Sequence, residues 1–341
     1  MRVSQAAFTS VYNRRGSRSD SHMAHQNPPA PHPHAQTIRS QVLHGIAVHR
    51  YTPLHFPGHF LGLAWPKIDH DGVHMSIADG PHCRNADGTV DIAAVAILVD
   101  TALATCARPG LAVGARLATL RMDLRLTGAP MTGRIKTEAR LLGFNSETGM
   151  RTSLSSATVH ANNEIVAHAS GEFAALDPPP GVALDPLPWE QKVPADMPPL
   201  SASDLAPDER PILQSCDTAL TRAAVSDSFI QHFWGGIPKT TARGARNRIA
   251  IGPHLGNRVG YLQGGVSFGI AATCACAAVP ATMTLASATA WFIGPGRGKT
   301  LLVNSRVVHA GRNMAVVRTE LKASGGARIL EVVTHHVARK E

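Results

Sequence analysis

From Ile92 to Ala107 the chain reads IAAVAILVDTALATCA, a run of small and apolar residues with one carboxylate, Asp100. Wound as a helix, its apolar side chains fall on every side, so the helix has to be enclosed by other protein. A carboxylate in such a helix is costly unless it is paired, hydrogen-bonded or engaged in chemistry. A second segment, Val266 to Val279 (VSFGIAATCACAAV), has the same texture and no acid.

The two segments belong to a repeat. Asn85 and Gly88 recur as Asn257 and Gly260, in both cases 172 residues on, and the same offset sets Ala272 opposite Asp100. A proline follows each helix, Pro109 or Pro280. Strand-like runs come next: Ala118–Leu126, Arg134–Gly143, Met150–His160 and Glu164–Phe173 in the first half, and Met283–Ile293, Lys299–His309, Met314–Ala323 and Arg328–Val337 in the second. Between them stand Asn145, Gly149, Asn162–Asn163, Gly311–Asn313 and Gly325–Gly326, the residues that hairpins require. Each half is thus one or two strands, a buried helix and four antiparallel strands. The expected fold is α+β: a curved antiparallel sheet wrapped around a central helix, twice, the two units joined edge to edge with their helices close together. Proline density marks residues 176–211 as an extended linker. Residues 1–45, rich in Ser, Arg, Pro and His, read as a disordered tail in which His22, His25, His32 and His34 are solvated rather than metal ligands. That leaves domains at 46–175 and 212–341.

Composition narrows the partners. The net charge of +9 favours anionic ligands. The basic residues are scattered, with no basic block, zinc-finger spacing or aromatic RNA motif, which favours a phosphate-bearing small molecule over nucleic acid. Five cysteines, three of them in the two apolar helices, suit reduced thiols in a cytoplasmic protein. The N-terminus lacks the apolar core of a secretory signal, and Asp91 and Asp100 interrupt the best apolar run, so no membrane span is expected. No nucleophile elbow, phosphate loop or dinucleotide fingerprint is present, and no metal or cofactor is expected.

The chemistry points to the start of the second helix, where Gln263-Gly264-Gly265 follows Asn257. A helix N-terminus offers free N–H groups and the positive end of the dipole, and glycine lets a ligand approach the backbone. A carbonyl on the Gly264 N–H would be polarised as in an oxyanion hole. The first half has Asp91 and Ile92 there, a carboxylate and a β-branched side chain that would repel and crowd the same ligand.

This pattern resembles the hotdog-fold acyl-CoA thioesterases, in particular the phenylacetate-degradation type, whose signature is an Asn, a His-Gly-Gly and then an Asp. Half two supplies Asn257, Gln263, Gly264 and Gly265 at that spacing but has Ala272 for the acid. Half one supplies Asn85 and Asp100 but has Asp91 and Ile92 for His-Gly. In that family the site is shared across a dimer. The resemblance therefore implies a tandem double hotdog in which the halves form one complete site, Asn257, Gln263 and Gly264 with Asp100, and one dead site. It covers roughly residues 50–175 and 225–340. It implies hydrolysis of an acyl-CoA thioester, with the Gly264 N–H polarising the carbonyl, Asp100 acting as general base or as nucleophile, and Asn257 orienting water or the acyl group. Gly265, Thr101 and Thr119 are candidate substrate contacts. Arg116, Arg121, Arg125, Arg243, Arg246, Arg258 and Arg297 are candidates for the CoA phosphates. A homo-oligomer of double-hotdog chains is expected. The alternatives are a non-catalytic CoA- or acyl-binding protein and an enoyl-CoA hydratase-like enzyme.

Overall fold

The computed structural model describes residues 31–339, apart from 53, 70, 112–113, 146, 148–149, 179, 182–185, 188, 190–196 and 227. His22, His25 and the first 30 residues of the expected tail lie outside the described residues, as does much of the expected linker. The rest of the tail needs correction. Helix α1 (Ala35–Tyr51) runs through its last eleven residues. Ile38, Val42 and Ile46, spaced every four residues, form a buried stripe with Gly45 and Ala47. The His, Gln and Arg residues around that stripe give the segment its polar composition, which is why it reads as tail.

The repeat extends to these helices. Helix α1 is followed by the short α2 (Phe56–Phe60), and the same pair recurs as α4 (Arg210–Ser226) and α5 (Phe229–Trp234). Phe56 and Phe60 reappear as Phe229 and Phe233, 173 residues on. The two short helices meet in one aromatic cluster, with ring centroids 5.0 Å apart for Phe60–Phe233 and 6.4 Å for Phe60–Phe229. Much of the scarce aromatic content is thus spent on joining the halves.

In the first half come β1 (Ala64–Ile68), β2 (Val73–Ser76), helix α3 (Ile92–Cys106), β3 (Arg116–Leu126), β4 (Ile135–Asn145), β5 (Thr152–Ala161) and β6 (Glu164–Leu176). The second half repeats them as β7 (Lys239–Thr241), β8 (Gly244–Ala250), α6 (Gly264–Cys276), β9 (Met283–Phe292), β10 (Thr300–Ala310), β11 (Met314–Ala323) and β12 (Arg328–Ala338). All twelve strands form one sheet in the order β1-β2-β4-β5-β6-β3-β9-β12-β11-β10-β8-β7. The halves join antiparallel at β3 and β9, with Asp123 opposite Thr289 at the middle of the shared ladder. Thr289 Oγ1 donates to Asp123 Oδ1 at 2.6 Å across that seam. The β5–β6 turn is Asn162-Asn163, both at positive φ, the hairpin geometry that its sequence predicts.

Inside each half the sheet curves over its apolar helix, the hotdog architecture expected from the pattern. All of α3 except Ile92 and Ala104 is buried. The stretch Ile92–Gly110, with Asp100 and Arg108 inside it, is long and apolar enough to cross a membrane by length and composition alone. In the fold its apolar surroundings are sheet and helix.

Helices α3 and α6 face each other, and glycines set how closely. A Cβ added at Gly265 would lie 2.5 Å from Ile97 Cα, and one added at Gly269 would run into the Ala93 side chain. Only glycine lets the two backbones approach this far.

Candidate active site

Asp100 sits a little over two turns into α3 and is 6% exposed. Its carboxylate leaves its own hotdog and reaches the other. Oδ2 accepts from Gln263 Nε2 at 2.7 Å and from the Gly265 N–H at 3.2 Å, and Oδ1 accepts from Thr119 Oγ1 at 2.8 Å. The acid expected from one half and the Gln-Gly-Gly expected from the other are therefore in direct contact.

Gln263 is the N-cap of α6. Its Oε1 accepts from the Val266 N–H at 2.7 Å, which leaves the amide nitrogen to donate to Asp100. A carboxamide does both jobs, whereas a carboxylate in that place could cap the helix but would repel Asp100. Its counterpart Asp91 does only the first job. It caps α3 through the Ala93 N–H at 2.8 Å, and burial pushes its carboxyl up to about 6.

Thr119 is aimed by the strand. The β3–β6 register shifts between Thr119 and Arg121, a bulge that turns Thr119 toward α3. Strand β9 has the matching irregularity against β12 and carries Leu285 just before it. The loss of polar groups on the second side thus includes Leu285 for Thr119, as well as Ala272 for Asp100.

Gly264 opens α6 and lines the cavity at Asp100. A Cβ on it would lie 2.8 Å from Asp100 Oδ2 and 3.1 Å from Thr119 Oγ1, so the carboxylate can sit here only against glycine. As the first residue of the helix, its N–H has no intrahelical acceptor. Gly265, a candidate substrate contact from sequence, is placed differently. Its N–H holds Asp100 and its Cα packs on α3, and it does not line the cavity.

Asn257 lines the cavity too, but its Oδ1 accepts from the Val259 and Tyr261 N–H groups, each at 3.0 Å. That carbonyl closes the loop that Gly260, at φ +75, completes. The side-chain amide NH2 is what Asn257 can offer a ligand.

His55 is a site residue that sequence reasoning missed. It caps α2: Nδ1 accepts from the Gly58 N–H at 2.9 Å. The ring proton therefore sits on Nε2, which donates to Thr101 Oγ1 at 3.2 Å. Thr101 in turn donates to the Ile97 carbonyl at 2.7 Å. Burial holds the imidazole down to about 3, so it faces the cavity neutral and has no lone pair to spare as a base. The repeat offers Ser228 in its place, and the motif spacing has no term for it, so no sequence signal singles it out.

Apart from Gly265, these groups line one cavity of about 390 Å³. Of the seven candidate arginines, Arg116, Arg258 and Arg297 border it, and Arg108 joins them; Arg121, Arg125, Arg243 and Arg246 do not. Arg121 is paired with Asp123 at 2.8 Å. The Arg297 guanidinium lies over the Tyr261 ring, 4.3 Å from its centroid. Beside Asp91 and Thr273, the counterparts of Gln263 and Thr101, the cavity is only about 10 Å³. Among the described residues no group of three His, Cys, Asp or Glu is arranged to hold a metal.

Burial raises the Asp100 carboxyl to about 6, against the pull of its bonds from Thr119, Gly265 and Gln263. A buried acid tuned close to neutrality, gripped on both oxygens at the start of a helix, can take up and return a proton at the wall of this cavity.

Residues 256–338 match the acyl-CoA thioesterase N-terminal domain family. A search of curated proteins finds no match. Among solved structures, a Lactobacillus plantarum protein provisionally named an oleoyl thioesterase is similar at 10% identity over 79% of this chain and 96% of its own, with a TM-score of 0.50. The TesB protein of Mycobacterium avium subspecies paratuberculosis is 12% identical over 81% and 96%, with a TM-score of 0.47. A Bacillus halodurans protein solved with CoA is 17% identical over 41% of this chain and 99% of its own, with a TM-score of 0.37.

Proposed function

We propose that this chain, which over residues 256–338 matches the acyl-CoA thioesterase N-terminal domain family, hydrolyses an acyl-CoA thioester at a single site shared between its two hotdogs. The observation that carries this reading is the Asp100 carboxylate, bonded across the pseudo-dimer to Gln263 and Gly265 at the wall of a cavity of about 390 Å³.

Asp100 takes a proton from a water as that water's oxygen attacks the thioester carbon. The carbonyl oxygen, gaining negative charge, accepts from the Gly264 N–H at the positive end of α6. When the tetrahedral intermediate collapses the C–S bond breaks, and the departing thiolate recovers the proton from Asp100. Free acid and CoA leave. The base role is favoured over direct attack because both oxygens of Asp100 already accept hydrogen bonds. An oxygen held by donors on two sides is a poorer nucleophile, yet it can still receive a proton. Thr119 fixes the carboxylate and offers its own oxygen to the water. The amide NH2 of Asn257 is available to orient the acyl end. Arg258 and Arg297, beside the α6 entrance, suit the phosphates of CoA.

A cytoplasmic site of action goes with this reading, since all five cysteines are free thiols. Association of double-hotdog chains into a homo-oligomer is part of the proposal, read by sedimentation of the purified chain.

Free-thiol release from a panel of acyl-CoAs tests the activity. Turnover is expected, with a loss of about 100- to 10,000-fold in Asp100→Asn, the range for removing a general base. Saturable acyl-CoA binding without thiol release would favour a binding protein, and Asp100→Asn turnover equal to wild type would remove Asp100 from the mechanism.

A further inference from the structure

The loops that lead into the two central helices are built alike. In the first half the Asn85 N–H donates to the Thr89 carbonyl at 2.8 Å and the Gly88 N–H to the Asn85 carbonyl at 3.0 Å, with Gly88 at φ +81. In the second half the Asn257 N–H donates to the Tyr261 carbonyl at 2.6 Å and the Gly260 N–H to the Asn257 carbonyl at 3.0 Å, with Gly260 at φ +75. Each loop is then tied to a turn of its own hotdog, between β3 and β4 or between β9 and β10. The Val90 N–H donates to the Met131 carbonyl at 2.7 Å, and the Thr132 N–H to the Pro130 carbonyl at 3.0 Å. Likewise the Leu262 N–H donates to the Gly296 carbonyl at 2.9 Å, and the Arg297 N–H to the Pro295 carbonyl at 2.8 Å. The backbones match bond for bond, so the side chains they carry can be compared directly.

Arg258, Tyr261 and Arg297 stand where the first half has Ala86, Thr89 and Thr132. The first half also has an acid, Asp87, where the second has Val259. Because the first half closes the same loops without them, the fold does not require the two arginines or the tyrosine. All three border the cavity of Asp100, whereas Ala86, Thr89 and Thr132 do not border the small cavity beside Asp91. Arg297 is exposed and the other two are half-buried, which puts them where the cavity meets solvent. The Arg297 guanidinium lies over the Tyr261 ring and donates through Nη2 to the Tyr261 hydroxyl. Tyr261 is itself held through its N–H on Asn257 Oδ1 at 3.0 Å. Among the described residues that line the cavity, Asp100 is the only acid. A pair of cations at such a mouth, one of them stacked in place, calls for an anion with more than one charged group.

We propose that Arg258 and Arg297, the latter positioned by Tyr261, grip the 3′-phosphorylated nucleotide of CoA, so that the site selects thioesters of whole CoA over the same acyl group on a pantetheine arm without the nucleotide. The inference rests on the thioesterase reading for where the thioester sits, but the nucleotide contact can be measured without turnover. The nucleotide is remote from the bond that breaks, so its grip adds to kcat/KM through binding. A hydrogen bond between charged partners is worth about tenfold or more in affinity. Tyr261 acts through Arg297: without the ring and hydroxyl, the guanidinium has to be ordered at the moment of binding.

Two measurements test this. One is calorimetric titration with adenosine 3′,5′-bisphosphate, the nucleotide alone. The other is the ratio of kcat/KM for one acyl group carried on CoA and on pantetheine. The variants borrow the residues of the first half, which the matching backbone already accommodates: Arg258→Ala, Arg297→Thr and Tyr261→Thr. Wild type is expected to bind the bisphosphate and to prefer the CoA ester by about a hundredfold or more, the product of two charged contacts. Arg258→Ala and Arg297→Thr are each expected to weaken bisphosphate binding by about tenfold and to lower the ratio by a similar factor. Tyr261→Thr should lower the ratio less than Arg297→Thr does, and Tyr261→Phe, which keeps the ring, less again. Bisphosphate affinity unchanged in both arginine variants, or a wild type that turns over the two esters equally well, overturns the inference and leaves the thioesterase reading standing. A ratio unmoved in Tyr261→Thr overturns the positioning role of the tyrosine. A wild type that releases no thiol from either ester, yet binds the bisphosphate through these arginines, overturns the thioesterase reading and supports the nucleotide grip.

Discussion

Three donors reach the Asp100 carboxylate, and each of them favours the charged form, yet burial outweighs them and the carboxyl stands at about 6 against an ordinary 3.8. The difference costs stability on one side of the titration. Below about pH 4 the group is protonated in both the folded and the unfolded chain. As the pH rises through the folded value of about 6, the buried group must ionise where the unfolded one has already done so at no cost. Two units correspond to about 3 kcal/mol lost from the fold above pH 6. Asp100→Asn keeps the shape and removes this cost. Its melting temperature is expected to exceed that of wild type at about pH 8 and to match it at about pH 4, while turnover collapses. Asp91 is buried in the same way and also raised to about 6, but it only caps α3. Asp91→Asn preserves the cap, so it should give a similar gain at alkaline pH with turnover intact. Thermal melts at the two pH values, read beside thiol release, check both. A stabilised Asp100→Asn that still turns over, or an inactive Asp91→Asn, would contradict the division of labour. The turnover of wild type should itself rise as pH passes about 6, because the base must be ionised. Asp100, Gln263 and Gly264 were legible in the sequence because a fixed offset of 172 shows which half kept which group. Thr119 was visible as a neighbour only, since its aim depends on a strand bulge. His55 was not visible, because its role comes from a five-residue helix outside the matched motif.

At the scale of elements, the approach of α3 to α6 is what lets Asp100 cross from one hotdog to the other. Gly265 and Gly269 lie one turn apart on the face of α6 that meets Ala93 and Ile97. In an exposed helix a Gly→Ala change stabilises by about 1 kcal/mol through helix propensity. Here the added methyl has nowhere to go, and overpacking a close contact costs about 1–3 kcal/mol. Gly269→Ala, which lies a turn beyond the residues that touch Asp100, should therefore destabilise despite its better propensity. Urea denaturation gives the sign directly, and a rise in midpoint would mean that the helices have room to spare. The two central helices and the eight long strands could be read from periodicity and turn residues. The opening pairs α1–α2 and α4–α5 were not, for a physical reason. The large apolar residues buried on α1 are only Ile38, Val42 and Ile46, beside the small Gly45 and Ala47, and α2 is too short to show a period. Their contribution is tertiary: the Phe60–Phe233 contact ties the halves together.

At the scale of the whole molecule, a two-fold sheet carries a one-sided cavity, which on the proposed reading means a one-fold chemistry. The seam at β3 and β9 relates the halves, so every group of the proposed site has a counterpart; Asn85 and Thr273 repeat Asn257 and Thr101, but the groups around the carboxylate differ. Ala272 replaces the acid, Leu285 the threonine, Ile92 the glycine that admits a carbonyl, and Asp91 the amide that can both cap and donate. The space itself has closed, from about 390 Å³ on one side to about 10 Å³ beside Asp91 and Thr273. Two covalently joined hotdogs need to conserve only one copy of each catalytic group, because the tether guarantees that the complementary copy is present. The consequence is a stoichiometry. A non-hydrolysable thioether analogue of an acyl-CoA should bind once per chain in a calorimetric titration of wild type. Asp100→Asn, which retains the cavity, should also bind it once. Filling the live side by Gly264→Phe should abolish binding altogether rather than halve it. Two sites per chain, or half the binding left in Gly264→Phe, would mean that the second side still accepts ligand despite its closed cavity.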